Sequence, residues 1–116
     1  MCEKKVIEAL FTTIDAGRFD QLEHYFDPSA VYERPGYAPC VGYGQILNFY
    51  RHIRAIGSGE HHLENMVLDG KVMMSSGRFS GVKKDGDEVD IKFSESYRFK
   101  DSKIVHRRTY FFQPAV

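Results

Sequence analysis

One carboxyl in this chain breaks an otherwise regular pattern. Val89, Ile91, Phe93, Tyr97 and Phe99 share one parity, while Asp90, Lys92, Ser94, Ser96, Arg98 and Lys100 share the other. Alternation of this kind belongs to a strand with one buried face. Glu95 lies on the apolar parity. A buried charge is costly unless it is paired, hydrogen-bonded or neutralised. Two chemistries follow. A carboxyl in an apolar pocket titrates above its free value of ~4.3 and serves as a general acid or base. Alternatively, a neighbouring arginine holds it in a structural ion pair. The strand-like segment from Ile104 to Phe112 supplies two candidates, Arg107 and Arg108, either of which reaches Glu95 from an adjacent strand. Aromatic residues occupy both parities of that segment, so parity leaves open which arginine faces inward.

His61 and His62 are consecutive and point to opposite faces of a strand, so they do not chelate one ion. One of them faces inward, as a hydrogen-bonded core residue or as a catalytic group. No Cys/His ligand spacing or HExxH is present, and no metal is expected. Gly42-Tyr43-Gly44 lacks both the third glycine of a dinucleotide site and a Walker lysine, and it reads as a turn into a helix. There is no GxSxG elbow, and no cofactor is expected. Gly77 and Gly81 flank Phe79 in a strand, where glycine marks curvature or room for a ligand.

These groups need elements to hold them. Val6, Ile7, Leu10 and Ile14 recur at helical spacing, and Gly17 suits the left-handed position past a helix end. A second short helix follows, with Asp20 and Glu23 spaced as a capping box and Asp27-Pro28 as its stop. Ala30 to Arg34 reads as a short strand broken by Pro35-Gly36. The spacing of Ile46, Leu47, Phe49, Tyr50, Ile53 and Ile56 predicts a third helix ending at Gly57-Ser58-Gly59. Four strands follow, over 61–68, 71–82, 89–99 and 104–112. Asp69-Gly70 and Asp85-Gly86 provide hairpin turns, so an antiparallel meander is expected. Helices first and strands afterwards make an α+β domain, here a single one over 1–116.

The chain has 116 residues, with 16 Lys+Arg against 16 Asp+Glu, and 42% hydrophobic residues. That is enough for one core without disulfide or metal support. Balanced charge argues against nucleic acid as a partner. No apolar run reaches the ~18 residues of a membrane span, and no signal-peptide pattern opens the chain. Neither membrane nor nucleic acid is expected as a partner, and a cytoplasmic location is. Cys2 and Cys40 are expected to stay reduced there.

Several stretches carry a resemblance. These are Ile14-Asp15-Ala16-Gly17-Arg18-Phe19-Asp20, Gly42-x-x-x-Ile46-x-x-Phe49-Tyr50, Gly77-Arg78-Phe79-Ser80-Gly81 and Tyr97-x-Phe99-x-Asp101-x-Lys103-Ile104-Val105. Tyr32-Glu33-Arg34-Pro35-Gly36 and the ending Arg107-Arg108-Thr109-Tyr110-Phe111-Phe112 belong with them. With the order of elements, the chain resembles a bacterial branch of the ketosteroid isomerase-like and SnoaL-like polyketide cyclase proteins, which share the cone-shaped fold of nuclear transport factor 2. The resemblance implies a cystatin-like cone in which three helices pack on a curved antiparallel sheet. It places the family's protonated acid at Glu95, its base position at Arg34 and its oxyanion tyrosine at Leu10. Two of the three catalytic groups of steroid isomerisation are therefore replaced. It suggests an Arg34–Glu95 pair across the pocket instead.

The expected function is an isomerase, cyclase or hydrolase acting on an apolar substrate that carries a carbonyl or carboxylate. Glu95 is its catalytic residue, and Tyr32, Arg34, His61, Phe79, Tyr97 and Arg107 bind the substrate. Two alternatives stand beside it: a non-catalytic ligand-binding module, and an interaction domain that uses its sheet. A homodimer is expected in each case.

Overall fold

The computed structural model describes residues 2–113. Helix α1 spans Glu3–Asp15 and buries Val6, Ile7, Leu10 and Ile14, the stripe that the periodicity predicts, together with Phe11 and Thr13. Gly17 reverses the chain at φ 71°. A 3-10 turn, Phe19–His24, follows. The predicted capping box does not form. Arg18 occupies the cap position, so Asp20 lies inside the turn and makes no cap hydrogen bond.

Strand β1, Phe26–Glu33, starts earlier than predicted and carries Pro28 within it. The proline sits where the register shifts, between Phe26 and Val31, so no ladder hydrogen bond is lost there. Strand β2 is Cys40–Val41. Helix α2, Tyr43–Asn48, widens into a π-turn over Phe49–Ile53. The third helix therefore stops before Arg54, and Ile56 belongs to a strand rather than to the predicted helix.

Strands β3 (Ile56–Asp69), β4 (Val72–Lys83), β5 (Glu88–Lys100) and β6 (Lys103–Phe111) form the predicted antiparallel meander. The sheet is larger than the meander. It has six strands in the order β2-β1-β6-β5-β4-β3, and β1 runs parallel to β6. Bulges lie between Ile56 and Ser58 and between Leu63 and Asn65, opposite the β4 segments that carry Gly81 and Gly77. A Cβ on Gly77 would collide with the His62 carbonyl oxygen. These glycines thus serve close approach and curvature.

The odd parity of β5 is buried throughout, Glu95 included. Parity changes along β6 because Arg98 pairs with His106 whereas Phe99 pairs with Ile104, which leaves Val105 as an extra residue. Ile104 is therefore buried, and so are Arg107 and Thr109. This bulge is why both faces of β6 look mixed in sequence.

Candidate functional site

A small cavity opens between the helices and the concave face of the sheet. Its volume is about 30 Å³, room for one or two water molecules. Strands β4, β5 and β6 contribute Phe79, Phe93, Glu95, Arg107 and Thr109 to the wall. Tyr32 and Arg34 come from β1 and its exit. The segment that ends the helices gives Tyr50 and Arg54, and β3 gives His61. Ile56, Ile91 and Phe111 complete a wall that mixes cationic, aromatic and apolar side chains.

Glu95 and Arg107 form the deepest contact, each with a side chain only 2% exposed. Arg107 Nε and Nη2 donate to the two carboxylate oxygens at 3.0 and 2.8 Å. Tyr97 donates to Oε1 and Thr109 to Oε2, both at 2.5 Å. Each oxygen therefore accepts two bonds and has no lone pair left for a substrate proton. Burial raises the Glu95 pKa, but the Arg107 charge and the four donors outweigh it and hold the carboxyl below its ordinary value. Of the two chemistries the sequence left open, the ion pair is the one formed, and the arginine is Arg107. Arg108 lies outside and donates to Glu33 at 2.8 Å. The suggested Arg34–Glu95 pair is not formed; Arg34 donates to the Tyr32 hydroxyl at 3.2 Å.

The hydroxyls extend this network with a defined direction. Thr109 spends its proton on Glu95, so Tyr32 donates to Thr109 at 3.0 Å. Ser75 likewise donates to Tyr97 at 2.9 Å, because the Tyr97 proton is already committed. Tyr50 differs. Its oxygen accepts from Arg107 Nη1 at 2.6 Å, which leaves its own proton for a ligand. Burial lifts its pKa to about 12, so it remains a donor at neutral pH.

His61 faces inward and His62 outward, with side chains 11% and 56% exposed. Its Nδ1 lies 2.6 Å from Asp15 Oδ1. A carboxylate there favours the tautomer with the proton on Nδ1, which leaves the lone pair on Nε2; His61 itself forms part of the cavity wall. Phe11 stacks on the imidazole with ring centroids 4.4 Å apart, and Phe79 packs at 4.7 Å. Burial lowers the pKa of His61 more than Asp15 raises it, so the ring is neutral at physiological pH. A neutral imidazole oriented by a carboxylate is equipped to accept a proton.

Among the described residues, no three His, Cys, Asp or Glu side chains are arranged to hold a metal ion. Among the same described residues, no helix is long and apolar enough to cross a membrane. Cys2 and Cys40 are free thiols.

A family model described as the SnoaL-like domain matches residues 7–107. The chain belongs to the SnoaL-like family. Solved structures give the same fold, with helices on a curved sheet. A nuclear transport factor 2-like protein of unknown function from Burkholderia pseudomallei aligns at TM-score 0.86 and 14% identity, covering 96% of this chain and 92% of that one. TerC, co-crystallised with polyporic acid, aligns at TM-score 0.84 and 15% identity over 94% and 90%. An LEH-like epoxide hydrolase from Mycobacterium tuberculosis aligns at 0.79 and 18% over 92% and 80%. Comparison with curated proteins found no sequence match.

Within this SnoaL-like domain, six of the seven site residues named from sequence line the cavity: Glu95, Tyr32, Arg34, His61, Phe79 and Arg107. Tyr97 is displaced from the expected set. It lies behind the carboxylate and supports Glu95 instead of touching the cavity. Leu10, where the resemblance places the oxyanion tyrosine, is fully buried core. Glu33 faces away and binds His106 and Arg108. Sequence reasoning missed Asp15, Tyr50 and Arg54. Asp15 read as a helix end, yet an acidic residue closing a helix, where the macrodipole disfavours it, was a signal that something else holds it. Tyr50 and Arg54 were obscured because a π-turn shifts the helical phase by one residue.

Proposed function

We propose that this SnoaL-like domain is a cofactor-free acid–base enzyme that moves a proton on the carbon beside a carbonyl group. The observation that carries this reading is the Asp15–His61 pair at the cavity wall. His61 Nε2 takes the proton from carbon. Tyr50 donates its free hydroxyl proton to the carbonyl oxygen as negative charge develops there, and Arg107 supports that hydroxyl from behind. Return of the proton to another carbon gives an isomerase. Attack of the enolate carbon on a second carbonyl of the same molecule breaks that C=O π bond, the new alkoxide takes the proton held by His61, and the result is a cyclase. Glu95 serves as the fixed counter-ion that positions Arg107, rather than as the acid or base expected from sequence. Tyr32, Arg34 and Phe79 shape the space the substrate enters.

The test is deuterium incorporation from heavy water into a panel of small ketones and oxo acids, followed by NMR. The reading predicts exchange faster than in buffer, reduced at least ~100-fold in His61→Gln. Exchange no faster than buffer for every compound contradicts it. A second reading is a ligand-binding module without turnover, in which the same cavity-lining side chains hold a compound and none acts on it. Saturable binding of a carbonyl compound that never exchanges would select it.

The protein is further proposed to act in the cytoplasm as a homodimer. Val67, Met74 and Tyr110 are exposed large side chains on the outer sheet face, where Val67 pairs with Met74. Sedimentation at micromolar concentration should give twice the chain mass, and a monomer refutes the dimer.

A further inference from the structure

Four consecutive residues follow Tyr50, and only the last of them turns inward. Arg51, His52 and Ile53 are exposed, whereas Arg54 is 8% exposed. The cause is local. The Arg54 N–H bonds to the Phe49 carbonyl at 2.9 Å, which closes the π-turn, and its backbone then switches to an extended conformation. The side chain is thereby directed into the cavity, where it forms part of the wall. The guanidinium lies over the rings of Tyr50 and Phe79, at 5.4 and 5.8 Å from their centroids. Its Nε is buried without a hydrogen-bond partner. Among the described residues no carboxylate pairs with Arg54. Among the described residues of the cavity wall the one carboxylate is Glu95, and all its acceptor positions are occupied by Arg107, Tyr97 and Thr109.

A buried cation with an unused N–H, facing a cavity, is a site for an anion. The free volume there admits a group no larger than a few atoms. The planar fork of a guanidinium matches a carboxylate.

We infer that the SnoaL-like pocket takes a small monocarboxylate, with its carboxylate seated on Arg54. In combination with the proton-transfer reading above, on which this half of the inference rests, the substrate is a small oxo acid whose carbonyl points toward Tyr50 and whose acidic carbon points toward His61. Arg54 and His61 share contact with Phe79, which places the anion and the base side by side. Charge on Arg54 also disfavours protonation of His61, so an anion on Arg54 relieves that effect. Arg34 and Arg107 likewise oppose the Arg54 charge, which an incoming carboxylate would offset.

The experiment uses pyruvate and its neutral counterpart pyruvamide as probes, with binding followed by calorimetry on wild type, Arg54→Lys and Arg54→Met. Wild type should prefer pyruvate by about tenfold or more, equivalent to ~1.4 kcal/mol. Arg54→Met should lose that preference and Arg54→Lys should keep part of it. The NMR signal of the Arg54 Nε–H in wild type should shift with pyruvate and not with pyruvamide, which carries the test even where Arg54→Met fails to fold. Equal affinities, no saturable pyruvate binding, or an unmoved Arg54 signal overturns the inference. Deuterium exchange into neutral ketones without a pyruvate preference would remove this inference alone. A pyruvate preference without exchange would remove the enzyme reading and leave the anion site standing.

Discussion

Asp15 holds His61 at two points: Oδ1 meets the ring Nδ1 at 2.6 Å, and Oδ2 accepts the backbone N–H of His61 at 2.8 Å. One carboxylate thus fixes the position of β3 against the end of α1 and also the orientation of the imidazole. The strand and the base cannot shift independently.

Asp15→Asn should uncouple the two effects. The amide still reaches the backbone, so the fold survives, but it no longer enforces a proton on Nδ1. Proton-exchange rates should fall by roughly 10²–10⁴-fold while circular dichroism stays unchanged. Retention of full exchange activity would show that Asp15 is only a structural tie.

Activity should depend on pH in one direction through this residue. The folded pKa of His61 is depressed, first by burial. The neutral, competent form therefore persists down to a pH below the ordinary histidine value of ~6.5. Exchange should be at its plateau at neutral pH and decline as pH falls through the depressed value. Stability follows the same sign, because the unfolded chain binds the proton first. The contribution of neutral His61 is fully present above ~6.5 and is lost as pH falls through its folded value. A rate that rises on acidification would contradict the assignment.

Glu95→Gln should be a folding lesion before it is a catalytic one. It leaves the Arg107 charge uncompensated at a site where both side chains are 2% exposed. Removing one partner of a buried pair costs ~3–5 kcal/mol, which for a domain of this size lowers Tm by roughly 10 °C or more. The pair Glu95→Leu with Arg107→Met should recover much of that loss, since neither charge remains. Because the carboxyl titrates below its ordinary value, its contribution is present above ~4.3 and is lost as pH drops through the folded pKa. Thermal melts of the single and double variants across pH check all three statements. An undiminished Tm in Glu95→Gln would return the carboxyl to the role of a catalytic acid.

The depth to which sequence alone reached this site depended on periodicity. β5 alternates without interruption, and the parity violation at Glu95 was visible for that reason. On β6 the same reasoning stopped, because the extra residue at Val105 exchanges the inward and outward positions between Ile104 and Arg107. The pairing of β1 with β6 was also hidden. It is parallel and non-local, and no turn residue announces such a partner. Asp15 and His61 stand 46 positions apart, so their contact is a property of the packed helix and sheet.

Tyr50→Phe isolates the hydroxyl that has a proton to give. Loss of one such donor typically lowers kcat by ~10²–10³-fold. The ring packing against Phe49 and Tyr32 remains, so the stability cost is confined to the lost hydrogen bond, ~1–3 kcal/mol or a few degrees in Tm. Arg107 Nη1 loses an acceptor, which sets the lower bound of the stability effect. A large Tm loss with unaltered exchange would make Tyr50 a structural acceptor only.

Proton transfer at this site requires His61 to present an unprotonated Nε2 to the cavity. Nitrogen NMR of histidine-labelled protein reads both tautomer and pKa for this one ring. The spectrum should show a neutral imidazole with its proton on Nδ1 and a pKa below ~6.5. A proton on Nε2, or an imidazolium that persists at neutral pH, would contradict it.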